Sequence, residues 1–149
     1  VGVASLQRWV NDKNFDGGKS TKEELDLRDF YKRLLNFTIK SDALMGEYAD
    51  LHQYNRENTQ NYTHKILSYT RFSEDEKLVI ISNFDDNEAF KFQLKIPSEI
   101  IKKWNLEEGT YELKDKLFNT KSFNLVVNNS VGNINIVINP LESFILQIQ

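Results

Sequence analysis

Cysteine is absent from the 149 residues. That excludes disulfides, thiolate nucleophiles and thiolate metal sites, while leaving the compartment open. Histidine is scarce, with only His52 and His64. A metal needs several ligands at fixed spacing, so no metal site and no cofactor is expected. Long apolar runs are missing too. The longest are of the kind at residues 78–81, far short of a membrane span, and no membrane partner is expected. Neither charge sign dominates: 19 basic residues mix with 22 acidic ones, for a net charge of −3. Without a basic stripe, nucleic acid is not an expected partner. No basic-then-apolar leader opens the chain. It starts at Val1, and VGVASLQRWV reads like the interior of something longer.

What is present is the material for a packed core. Hydrophobic residues make up 40% and aromatic residues 12%, which argues against disorder. Residues 21–39 (TKEELDLRDFYKRLLNFTI) read as an amphipathic helix. Ser20 or Thr21 can cap it, since both Ser20 with Glu23 and Thr21 with Glu24 fit a capping box. At about 100° per residue, Leu27, Phe30, Tyr31, Leu34, Leu35 and Phe37 spread over roughly 160° of the helix. A single packing partner needs about 100°. The spacing therefore predicts two partners for this helix, and these six residues are the candidate interface. Ahead of it, residues 1–18 are expected to be irregular, with a short helical turn carrying Leu6, Trp9 and Val10. NDKNFDGGKS then breaks that turn.

From residue 46 the texture changes. Strands are expected at 47–54, 66–72, 78–83, 89–96, 109–113, 122–127, 132–138 and 143–148. Residues 55–64 read as a polar loop and 97–104 as a helical turn with an apolar anchor. The strands at 78–83 and 89–96, joined by Asp85-Asp86-Asn87, are expected to form a hairpin. Short alternating strands between turn signals predict a mainly β chain: an antiparallel sandwich of seven to eight strands, Greek-key type, with one N-terminal amphipathic helix.

Four segments resemble the alpha-amylase family of glycoside hydrolases, in the family's order. Leu27, Phe30-Tyr31, Leu34-Leu35, Ala43-Leu44, Gly46 and Tyr48 resemble the last helix of the catalytic barrel and its exit. KLVIISNF at 77–84 resembles a strand ending in asparagine-phenylalanine. GTYELKDKL at 109–117 and NPLESFILQI at 139–148 resemble later strands. The resemblance implies that residues 1–45 are a remnant of the barrel and residues 46–149 a C-terminal β-sandwich domain. It implies a non-catalytic role in starch or oligosaccharide metabolism, supporting a catalytic barrel of the same polypeptide. An alpha-glucan-binding module is the alternative. The family's catalytic carboxylates lie on earlier barrel strands that no segment here matches, so no catalytic residue is expected.

Asp85-Asp86 and Glu107-Glu108 are neighbouring carboxylates, but glycosidic hydrolysis needs two acids facing across a cleft. Asn11 to Gly17 is distantly like a calcium loop, lacking the later glutamate. Trp104 is expected in the core, and Tyr62 could lie exposed in the polar loop. By the resemblance, Trp9 and Phe15 precede the last barrel helix and derive from the face where barrel active sites sit. They are the candidate substrate-binding residues of the parent enzyme. A helix face left without its barrel is expected to pair two copies of the chain as a dimer.

Overall fold

The computed structural model describes residues 2–118 and 121–149. The chain divides into two compact units, Val1–Ile39 and Lys40–Gln149.

In the first unit, α1 spans Val3–Val10 and α2 spans Lys22–Lys40. Thus the short turn expected near Trp9 is a helix of eight residues. It ends at Asn11, whose left-handed backbone (φ 42°) lets its N–H reach the Gln7 carbonyl, a stop that asparagine tolerates. Of the two possible capping boxes for α2, Thr21 makes the one that forms. The Glu24 N–H donates to Thr21 Oγ1 at 3.3 Å, and the Thr21 N–H donates to Glu24 Oε2 at 3.0 Å. Two otherwise unpaired N–H groups are satisfied reciprocally.

The second unit runs β1 (Glu47–Asp50), α3 (His52–Asn58), β2 (Ile66–Phe72), β3 (Lys77–Asn83), β4 (Phe90–Ile96), α4 (Ser98–Lys103), β5 (Gly109–Asp115), β6 (Ser122–Asn128), β7 (Val131–Ile138) and β8 (Ser143–Ile148). All eight strands join one antiparallel sheet in the order β1-β2-β3-β8-β5-β6-β7-β4. The last four strands make the expected Greek key, with β8 returning to lie beside β5. A single core cluster draws side chains from β2 through β8 and from α4. One sheet can feed one core from all these strands only by curling over on itself. Side-chain alternation puts every second residue inside, as in β2, where Ile66, Ser68, Thr70 and Phe72 are buried. No helix among the described residues is long and apolar enough to cross a membrane.

Two expectations fail. β3 and β4 do not form a hairpin: β3 pairs with β2 and β8, and β4 pairs with β7. The connection between them crosses from one half of the curled sheet to the other, and the β7–β8 connection crosses back. Asn83 ties the two crossings together. Its Nδ2 donates to the Glu88 carbonyl at 2.8 Å and to the Asn139 carbonyl at 2.9 Å, and its Oδ1 accepts the Asp85 N–H at 2.9 Å. The Leu141 N–H adds a bond to the Asp85 carbonyl at 2.9 Å. Such a corner holds two strand pairs apart in sequence but adjacent in space.

The second failure is at residues 47–64, expected as a long strand and then a loop. The strand stops at Asp50, and His52–Asn58 is helix α3. Asp50 Oδ2, one residue ahead of the N-cap Leu51, accepts the Gln53 N–H at 2.9 Å and so satisfies one free donor of the first turn. Asn55, fully buried, fixes the helix against β4. Its Nδ2 donates to the Lys95 carbonyl at 2.8 Å, and its Oδ1 accepts the Lys95 N–H at 2.8 Å. One amide side chain thus bonds the edge strand as a neighbouring strand would.

Candidate functional site

Helix α2 has no buried residue along its 19 positions. Of the six interface candidates, Phe30, Leu34 and Phe37 are half-buried. Leu27 (57% exposed), Tyr31 (52%) and Leu35 (58%) are open to solvent. Ile39, at 83% exposed, extends that row. It had no place among the six, yet the spacing of four from Leu27 through Tyr31 and Leu35 leads to it. Residues four apart form the ridge that packs into the groove of another helix. Lys22, Asp26, Asp29, Arg33, Asn36 and Lys40 are exposed on the remaining surface. The polar arc alone would account for a solvated surface. The large apolar row beside it is what lacks cover.

The mouth of α2 is held electrostatically. Arg8 of α1 donates from Nε to Glu24 Oε2 at 3.0 Å, and its Nη2 pairs with Glu24 Oε1. The guanidinium, together with the Thr21 N–H, pulls the Glu24 carboxyl down to about 2. Glu24 therefore serves as cap and ion-pair partner at once. The Arg28 guanidinium lies 4.2 Å from the centroid of the half-buried Trp9 ring, a cation–π contact. Gly17 abuts the same ring closely enough that a Cβ there would collide with it, and its φ of 71° already favours glycine. An apolar-walled cleft of about 400 Å³ opens here, lined by Trp9, Leu27, Arg28 and Tyr31 among others. Phe15 is 64% exposed, with φ 55°. It does not line the Trp9 cleft. The two candidate substrate-binding residues therefore do not share one cleft.

The loop between the helices carries left-handed backbone at Asn11, Asp12, Lys13, Phe15 and Gly17. Asp16 Oδ1 accepts from Asn11 Nδ2 and from the Gly18 N–H, each at 2.8 Å. These bonds, Asn11 first, lower the Asp16 carboxyl. Asp16 Oδ1 is thus engaged within the loop, and no three His, Asp or Glu side chains converge as metal ligands among the described residues.

The paired carboxylates separate in role. Asp85 is buried, pairs with Lys65, and accepts the Asn87 and Glu88 N–H groups at 2.8 and 3.0 Å. Lys65 above all holds its carboxyl down at about 2. Asp86, exposed, accepts from the Asn87 side-chain amide. Glu108 accepts the Asn129 N–H at 3.0 Å in a turn. Another buried acid, Asp115, ends β5 by accepting the Leu117, Ile145 and Phe118 N–H groups. Asp85, Glu108 and Asp115 thus each close a chain crossing or a turn through backbone N–H groups.

Trp104 lies in the core as expected, while Tyr62 is buried and not exposed. The Tyr62 hydroxyl is 2.8 Å from Ser68 Oγ, and His52 Nδ1 lies 2.7 Å from the Ile66 carbonyl. Burial pushes the Tyr62 phenol up to about 12. The polar neighbours of Tyr62 suggested a loop surface. Its ring instead packs edge-on against Phe92 at 5.2 Å.

No family profile matches the chain. No characterised protein matches it in sequence. Solved structures do match in fold. A complex of AmyP with maltotriose aligns with a TM-score of 0.56 at 15% identity, over 87% of this chain and 22% of that one. An alpha-amylase from Anoxybacillus aligns at 0.54 and 18% identity, over 86% of this chain and 23% of its own. The chain thus has the fold of a part of these amylase structures and spans less than a quarter of their length.

Proposed function

We propose that this chain is the non-catalytic closing part of an alpha-amylase-like glycoside hydrolase, in which the row Leu27, Tyr31, Leu35 and Ile39 seats the catalytic barrel of the same polypeptide. The observation that carries the reading is α2 itself: a well-capped helix with no buried residue and four large apolar side chains in an open ridge. Burying what remains exposed of those four side chains is worth about 3–6 kcal/mol. The fold likeness to a fraction of two amylase structures supports the same reading. So does the engagement of Asp85, Asp115 and Glu108 in backbone bonds, which gives these three carboxylates a structural task. Without a barrel, the ridge pairs two copies of the chain.

Two measurements test this. The chain alone releases no reducing sugar from soluble starch; release would refute the reading. The reading frame ahead of Val1 should encode a barrel with its carboxylates; a frame without one would refute the reading equally.

One observation favours alpha-glucan binding as a second reading. Tyr48 is exposed on β1, and its ring lies 5.6 Å from that of Tyr69 on β2, tilted by 34°. Adjacent rings of this kind can receive the apolar face of a sugar. Retarded migration in an amylose gel, abolished by Tyr48→Ala, would establish it; unretarded migration would leave the supporting role alone.

A further inference from the structure

We propose that the open edge of β4 is a docking site for an extended acidic peptide, which adds to the sheet as a ninth strand beside Lys91 and Gln93. β4 is the last strand of the sheet, and among the described residues the strand it pairs with is β7. In an antiparallel pair, alternate residues turn both backbone groups toward the partner and the rest turn both away. Asn55 reveals which are which. Its amide takes the N–H and C=O of Lys95 on the side away from β7. Gln93 and Lys91, two and four residues earlier, therefore present their own N–H and C=O outward. No hydrogen-bond partner meets these four groups among the described residues.

The edge is not a flat rim. A cleft of about 480 Å³ adjoins it, lined by residues 58–61, by Lys91, Gln93 and Lys95 of β4, and by Asn135 and Val137 of β7, so that it opens over the outer face of the β4–β7 pair beside the edge, within the range of ligand sites. At one end, Asn55 and the Lys95 side chain, which donates to the Asn58 carbonyl at 2.6 Å, stop any added strand. That fixes the register. Two peptide residues, alternate in sequence, exchange both backbone bonds with Gln93 and Lys91, and the side chain opposite Lys91 lies within cross-strand reach of its ammonium. A carboxylate there is favoured. A second copy of this chain is a poorer occupant, because two lysine-bearing edges would meet and like charges across strands repel. Exposed lysines on an edge also deter unwanted pairing, so the test must separate strand addition from simple charge attraction.

The test is fluorescence anisotropy of the 149-residue chain with a labelled heptapeptide alternating Glu with Val or Thr. Saturable binding is expected. It should weaken about tenfold or more when the peptide is N-methylated at alternate residues, which keeps every charge but removes the edge hydrogen bonds. Gln93→Pro should weaken it similarly, since that N–H points away from β7 and proline is tolerated on an edge strand. Lys91→Glu should weaken it at least several-fold. If Gln93→Pro does not fold, the N-methylated peptide carries the same test on the unaltered chain. Absence of saturable binding, equal binding of the N-methylated peptide, or binding of maltoheptaose in the cleft instead of the peptide would each overturn the proposal.

Discussion

Asn83→Ala should destabilise the second unit by about 2–4 kcal/mol. The estimate comes from three hydrogen bonds of one buried side chain, at 2.8, 2.9 and 2.9 Å, each worth about 1 kcal/mol net. Glu88 and Asn139 are exposed residues, so their freed carbonyls can rehydrate in part, which sets the lower bound. The upper bound applies if the crossings stay closed around unpaired groups. For a unit of this size the loss corresponds to roughly a 10 °C fall in melting temperature. A Trp9→Phe background leaves Trp104, buried in the core, as the sole tryptophan reporter of this unit. Urea and thermal unfolding are then followed by its fluorescence. The exposed neighbour serves as control, and Asp86→Ala should change stability by no more than about 0.5 kcal/mol. If Asn83→Ala costs as little as the control, the crossing loops are not held by this amide and the account of the sheet's closure is wrong.

Gly132→Ala should cost about 1–3 kcal/mol by overpacking, because a Cβ there meets Leu125 Cδ1 at 2.8 Å, Ile101 Cδ1 at 2.9 Å and Ile96 Cβ at 3.2 Å; a neutral melting curve would show that the core yields at this point. Asp85 and Glu24 both have carboxyls depressed to about 2. A depressed acid stabilises fully above its unfolded value and loses that contribution as pH falls through the folded one. Stability should therefore decline between about pH 4.5 and pH 2, and Lys65→Met should shrink the part reported by Trp104; a flat profile over that window would contradict the ion-pair assignments. Leu35→Asp should leave the stability of the chain within about 1 kcal/mol of its starting value and shift sedimentation from dimer to monomer; a persisting dimer would place the self-contact elsewhere.

The features legible in the sequence are those whose periodicity is set by burial on one face. The run at 66–72 is strand β2 with those bounds, since its alternating residues face the core. The capping pair Thr21 and Glu24 was legible because both partners sit three residues apart. Partner choice between strands was not legible. The short connection from Asn83 to Phe90 suits a hairpin as well as a crossing, and the decision lies with β8 and β7, more than forty residues on. Helix α3 was hidden because its residues are polar and its anchor, Asn55, bonds Lys95 across forty positions. The open row on α2 was visible as an excess of apolar arc. Ile39 lies beyond that arc, because exposure follows the row of residues four apart, which drifts around the helix.

The central claim, that the α2 ridge seats a barrel, is tested most directly by thiol labelling. The chain has no cysteine, so Leu35→Cys introduces its single thiol, and Lys22→Cys places one on the polar arc as a reference. In dilute solution both variants of the chain alone should react rapidly with a maleimide. In the polypeptide encoded by the whole reading frame, with labelling read by mass spectrometry at that peptide, the account predicts Leu35→Cys slowed about tenfold or more and Lys22→Cys unchanged. Equal rates at position 35 in the chain alone and in the whole polypeptide would contradict it.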